Sequence, residues 1–169
     1  MHPDLERCLT ILDDCTRGIA PDAARVRVEG RWSIAEIVEH LDRTYSGTAK
    51  GFEKCLEAGT PLARNFSLKG KLRAFWVVRL GRFPEGVPAP KHVIPTSEVD
   101  LPTALANARR DLERFDRAAI AARDRFGPGP VLDHPLIGAF TVDQWLRFHV
   151  VHTRHHEKQI RARAVGRVR

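Results

Sequence analysis

Gln144-Trp145-Leu146-Arg147-Phe148-His149-Val150-Val151-His152-Thr153-Arg154-His155-His156 is the stretch on which the fold of this 169-residue chain turns. Trp145, His149, His152, His156 and Ile160 follow one another at four, three, four and four residues. That recurrence puts side chains on one face of an α-helix. It is the spacing of a core stripe, with imidazoles at three positions where leucines would be expected. Imidazoles turned toward an interior need hydrogen-bond partners or a metal ion. Thr141-Val142-Asp143-Gln144 opens this helix as a capping box, and it runs past Ile160 before Gly166.

Four further helical stretches are readable upstream, and little reads as strand. From about Asp4 to Thr16, Leu5, Cys8, Leu12 and Cys15 fall at helical spacing, and Gly18 and Pro21 end the run. Ser33-Ile34-Ala35-Glu36 predicts another capping box, with Trp32 before it as a hydrophobic staple. Ile34, Ile37, Val38, Leu41, Tyr45, Phe52 and Leu56 then form an apolar face that Gly59-Thr60-Pro61 stops. Ser67 to about Leu80 is helical but basic, and the proline-rich segment 83–90 is a loop long enough to cross the end of a bundle. Asp100 caps the next helix, with Pro102 tolerated in its first turn. Its seam of Leu101, Leu105, Ala108, Leu112, Phe115 and Ala119 ends at Gly127-Pro128-Gly129-Pro130. The expected fold is all-α: a four-helix bundle forming a single domain over residues 1–169. It has a long crossover between the second and third principal helices and one extra short basic helix.

Composition sets the class. A hydrophobic fraction of 43% with 29% charged residues fits a globular chain that can bury its own core. No apolar run approaches the roughly 20 residues that span a bilayer, so no membrane segment is expected. Met1-His2-Pro3-Asp4-Leu5-Glu6-Arg7 lacks the basic and apolar regions of a signal peptide, and the expected location is cytoplasmic. Cys8, Cys15 and Cys55 form no C-x-x-C pair and read as buried structural thiols. The net charge of +7 is uneven. Residues 61–92 carry Arg64, Lys69, Lys71, Arg73, Arg79, Arg82 and Lys91 against Glu85 alone. Residues 147–169 carry Arg147, Arg154, Lys158, Arg161, Arg163, Arg167 and Arg169 against Glu157 alone. Such segments suit a solvated surface, an anionic substrate or a nucleic acid. The neighbouring aromatics, Phe66, Phe75, Trp76 and Phe83, are spaced for core packing more than for base stacking, so nucleic acid is not the expected partner.

His152 and His156 lie four apart and project from successive turns, the geometry of two imidazoles on one divalent ion. The intervening Thr153, Arg154 and His155 exclude an H-E-x-x-H metalloprotease motif. His40, in Ile37-Val38-Glu39-His40-Leu41, lies at the edge of the apolar face of the second principal helix. Three imidazoles from two helices would make a catalytic-type site with open positions. Spacing alone leaves a second reading open, in which His40 is a partly buried histidine bonded to a backbone carbonyl. His149, one turn before His152, is the candidate acid–base group. His155 is rotated about 100° from its neighbours and is expected to face another helix or solvent. His134 and His92 lie in proline-rich loops and carry weaker claims.

Two segments resemble the DinB-like superfamily, also described as YfiT-like metal-dependent hydrolases. One is the tryptophan-led Trp32-Ser33-Ile34-Ala35-Glu36-Ile37-Val38-Glu39-His40-Leu41, and the other is His152-Thr153-Arg154-His155-His156-Glu157-Lys158-Gln159, with its H-x-x-H-H-x-x-Q pattern. The lead-in from His134-Pro135 through Gly138, Thr141 and Gln144-Trp145 is similar to a branch of unknown function. The resemblance implies a four-helix bundle with a long crossover. It also implies a divalent metal ion (zinc, nickel or iron) held by His40, His152 and His156. It further implies hydrolase or thiol-dependent transferase chemistry on a small molecule. The basic helix and the proline-rich loop have no counterpart in that pattern and could cover the site.

The first functional expectation is therefore a metal-dependent enzyme. In it His149 handles protons, Glu39 or Glu157 orients the ligands, and Arg73 and Arg79 hold an anionic small-molecule substrate. The alternative is a non-catalytic module, either metal-stabilised or binding nucleic acid through its basic surface. Spare apolar faces of a bundle would also allow a homodimer.

Overall fold

The computed structural model of the protein describes residues 1–64, 67–79, 81, 88–96 and 98–165, and the side chains of all of these but Leu68, Lys71 and Arg73. Four long helices carry the architecture: α1 (Pro3–Thr16), α3 (Ile34–Ala58), α5 (Leu101–Phe126) and α6 (Val142–Val165). Two shorter helices, α2 (Pro21–Arg25) and α4 (Leu68–Ala74), lie between them. So do a π-helical turn (Phe75–Arg79) and a 3₁₀ turn (Lys91–Val93). The fold is an all-α bundle, and no helix among the described residues is long and apolar enough to cross a membrane.

The helix ends follow from local chemistry. Ser33 accepts from the Glu36 amide while the Glu36 carboxylate accepts from the Ser33 amide, and both arms of the capping box are formed. The same reciprocal pair joins Thr141 and Gln144, and Asp100 accepts from the Thr103 amide at 2.8 Å. Gly59 ends α3 in the left-handed region at φ 68°, with its amide on the carbonyls of Cys55 and Leu56.

Little strand forms, as expected, and two features add to the expected elements. Pro21 does not only stop α1; it occupies the first turn of α2, where its fixed φ and missing amide proton carry no penalty. The glycine–proline stretch after α5 leads into an antiparallel hairpin, β1 (Pro130–His134) paired with β2 (Gly138–Thr141), with an irregularity between Pro130 and Leu132. The basic helix forms as expected but relaxes into the π turn at Phe75. Its predicted end at Leu80 and the loop residues 82–87 lie outside the described residues.

In the core α3 packs chiefly against α5, and α1 against α6. Phe52 and Phe115 meet edge to face at 5.3 Å, an aromatic contact that adds to their burial. The hairpin is pinned from three sides. The amides of Leu62 and Ala63 donate to the Val131 carbonyl, and Trp145 Nε1 donates to the Leu132 carbonyl at 3.1 Å. α4 then lies on the hairpin at Gly70, where a Cβ would stand 2.6 Å from the Ile137 carbonyl oxygen. Together these contacts hold the hairpin turn beside one end of the bundle.

Asp42 and Asp111 are both buried. Burial, then the charge of Asp111 and a hydrogen bond to it, push Asp42 up to about 7. The folded chain thus holds this proton more tightly than the unfolded chain, where an aspartate titrates near 3.9. The resulting stabilisation is complete below about pH 4 and is lost as pH rises through about 7. Asp42→Asn, which resembles the protonated form, is expected to stabilise the protein at pH 8 by on the order of 2 kcal/mol. At pH 4 it is expected to change little; urea unfolding at both pH values measures the difference.

Candidate metal centre

Helix periodicity makes the site. α6 presents His152 and His156 from successive turns, α3 presents His40 from its second turn, and all three are buried. Their Nε2 atoms converge. His152 Nε2 lies 3.1 Å from His156 Nε2 and 3.4 Å from His40 Nε2, and one ligand atom from each residue falls within 4.8 Å of the others. Two imidazoles bound to one ion at about 2.1 Å stand roughly 3–3.5 Å apart. The residues therefore fit a divalent ion.

The far side of two rings decides where their lone pairs point. His40 Nδ1 donates to the Val93 carbonyl at 2.8 Å, and His156 Nδ1 donates to Gln159 Oε1 at 3.0 Å. The Gln159 amide nitrogen faces His155 Nε2 at 3.1 Å, which keeps Oε1 toward His156. With protons on Nδ1, the Nε2 atoms of neutral His40 and His156 are bare acceptors aimed at His152. His152 Nε2 can donate to at most one of them. The trio is short of positive charge in its middle, the condition a cation satisfies. The two readings of His40 are compatible: the bond to the backbone carbonyl leaves its Nε2 facing His152.

Burial pushes His40, His152 and His156 below the ordinary histidine range, His156 to about 3, and the neighbouring imidazoles add to the shift. At neutral pH all three are uncharged, the form that binds metal.

A cavity of about 300 Å³ opens over the imidazoles. Its walls come from α3 (Trp32 just before it, His40, Thr44, Thr48), from the crossover (Pro88, Ala89, Pro90, Val93), from the hairpin turn (His134 to Ile137) and from α6. The expectation that the proline-rich loop covers the site holds for its described part, Pro88 to Pro90.

Other sequence candidates fall in less expected places. His149 is fully buried and meets the cavity only through Thr48, whose Oγ1 is 3.1 Å from its Nε2. Thr48 donates to the Thr44 carbonyl, so His149 Nε2 is the donor to Thr48, and its Nδ1 has no partner among the described residues. Burial holds this imidazole near 3. His155 does not face away: it lines the cavity beside His156, their rings 5.1 Å apart. His134 also lines it, packed against Phe148 at 4.6 Å and lowered to about 4 by burial. His92 is exposed. Glu39 is bonded to Thr96 and Arg43, and Glu157 pairs with Arg161. Arg79 is exposed outside the cavity lining, and the side chain of Arg73 lies outside the described residues.

The orienting groups that sequence reasoning missed are Gln159 and the Val93 carbonyl. Gln159 had a signal, since it sits three residues after His156 on the same face and within the H-x-x-H-H-x-x-Q pattern. A backbone carbonyl 53 residues from His40 had none.

A family model described as "Protein of unknown function (DUF1569)" matches residues 12–163. No curated protein matches the chain, and no solved structure does.

Proposed function

This chain belongs to the DUF1569 family of proteins of unknown function, and from that premise we propose that it is a divalent-metal-binding bundle protein of DinB-like type acting on a small molecule in its cavity. The observation that carries this reading is the convergence of three Nε2 atoms, two of them made bare acceptors by their Nδ1 bonds, at the floor of that cavity. An all-imidazole donor set suits zinc, nickel or iron over magnesium or calcium. Three protein ligands beside open space match catalytic sites more than closed structural ones. A divalent ion there supplies a Lewis acid that polarises a substrate oxygen or sulfur, or acidifies a water or thiol.

The chain's own residues bind and orient. The Val93 carbonyl and Gln159 fix the rings of His40 and His156, and the crossover and hairpin wall the cavity. His149 acts through Thr48, holding its hydroxyl at the cavity wall. The chain's thiols do not serve as nucleophile: Cys8, Cys15 and Cys55 are buried, and burial raises all three, Cys8 to about 12 and Cys15 to about 11. Hydrolysis would draw on water, and thiol transfer on a free small-molecule thiol.

Cobalt(II) titration of the metal-free, tag-free chain, read by absorbance and by elemental analysis, tests the reading. Uptake of one ion per chain is expected. Gln159→Leu, which takes away the acceptor of His156, is expected to weaken binding by roughly 10–100-fold. Failure to take up metal, or undiminished uptake by a His40→Ala, His156→Ala double variant, would refute the proposal.

A further inference from the structure

The cavity also carries information about what enters it, an inference that rests on the metal centre proposed above. Its described lining contains no lysine, arginine, aspartate or glutamate. Aromatic rings stand there instead, and two of them lie directly against the imidazoles. Trp32 is 5.0 Å from His40, and Phe148 stacks on His152 at 5.4 Å with 15° between planes. Prolines 88, 90 and 135 add rigid apolar wall. Away from the ion, a charged group brought against such a lining would lose its hydration and meet no described side chain of opposite charge.

The polar groups of the cavity are largely engaged within the protein. Thr48 both donates to the Thr44 carbonyl and accepts from His149. His134 Nδ1 accepts from the Leu136 amide at 3.2 Å, so neutral His134 carries its proton on Nε2. A volume of about 300 Å³ is at the small end for ligand pockets and holds one or two rings rather than a polymer.

We propose that this cavity takes a small molecule with an uncharged, apolar body, preferably aromatic, that presents one metal-binding group to the ion held by His40, His152 and His156. This differs from the anionic substrate that the basic helix suggests. That helix contributes no described residue to the lining.

Three hydroxamates with a common metal-binding head test the proposal on the cobalt-loaded full chain, read by the cobalt absorption spectrum and by calorimetry. Benzohydroxamate is expected to bind about 30-fold tighter than acetohydroxamate, the effect of burying one phenyl ring. Phosphonoacetohydroxamate is expected to bind no tighter than acetohydroxamate. Leu136, 48% exposed at the cavity wall, offers a variant that spares the core. Leu136→Asp should lower the affinity for benzohydroxamate several-fold and leave that for acetohydroxamate unchanged. Cobalt uptake with equal affinity for the phenyl and methyl probes, or with the phosphonate probe tightest, overturns the substrate class and leaves the metal centre standing. No cobalt uptake overturns the metal centre and the substrate class together.

Discussion

Saturating zinc is expected to raise the unfolding midpoint of the metal-free protein by about 10 °C, and His152→Leu is expected to abolish that rise. An ion that binds only the folded chain, at about a thousand times its dissociation constant, stabilises by about 4 kcal/mol. In a domain of this length each kcal/mol moves the midpoint by roughly 2–4 °C. His152 is the residue to change because its Nε2 is the atom hydrogen-bonding distance relates to both other ligands. The variant should behave differently without metal. In the wild type, bare Nε2 atoms of His40 and His156 both face an imidazole that has at most one proton to give there. Leucine, of similar bulk and packed against Phe148, removes a buried polar ring from that arrangement. His152→Leu without metal should therefore be at least as stable as the wild type. Calorimetry with chelator and with zinc reads both effects. A variant that is much less stable in chelator, yet still gains from zinc, would mean that His152 is structural and the ion sits elsewhere.

The parts of the fold and site written in local spacing were legible. Trp145, His149, His152, His156 and Ile160 mark one buried face because an α-helix repeats on that period, and all five are buried. The caps at Ser33, Asp100 and Thr141 were legible because each is a contact over three residues. The hairpin was not. Its strands have five and four residues, start or end in proline, glycine and histidine, and are held by Trp145 and by the Val131 carbonyl, contacts that no strand periodicity records. That is also why His134 looked like a loop residue, since its burial against Phe148 comes from the hairpin folding back onto α6. His155 misled for a related reason. Its angle on the helix sets it apart from His152 and His156, but the hairpin and crossover wall off a cavity that it lines all the same. The three converging histidines needed only helix faces; the chamber around them needed tertiary contacts.

Those tertiary contacts also set how the protein meets acid. Metal-free protein is expected to lose stability between about pH 6.5 and pH 5, because the protons that several buried imidazoles refuse outweigh the opposite contribution of Asp42. His149 and His156 titrate near 3 and His134 near 4 in the folded chain, each held down chiefly by burial. In the unfolded chain all return to about 6.5. The sign follows: between the two values the unfolded state binds protons that the folded state refuses, so stability is intact above about pH 6.5 and falls as pH falls. At pH 5 each such imidazole costs on the order of 2 kcal/mol, and Asp42, which takes up its proton in the folded chain over the same range, offsets about one of the three. His149→Phe separates this effect from the metal site, since His149 is not among the three converging ligands and its ring lies among Tyr45, Phe115, Trp145 and Phe148. The substitution gives up the bond to Thr48, so some stability at pH 8 should go. The dependence of unfolding free energy on pH below 6 should nevertheless become shallower by about one proton, or about 1.4 kcal/mol per pH unit. Urea unfolding of both proteins in chelator at pH 7.5, 6 and 5 gives the two slopes. Parallel slopes would show that His149 takes up its proton without unfolding the chain, and that its burial is looser than the ring contacts require.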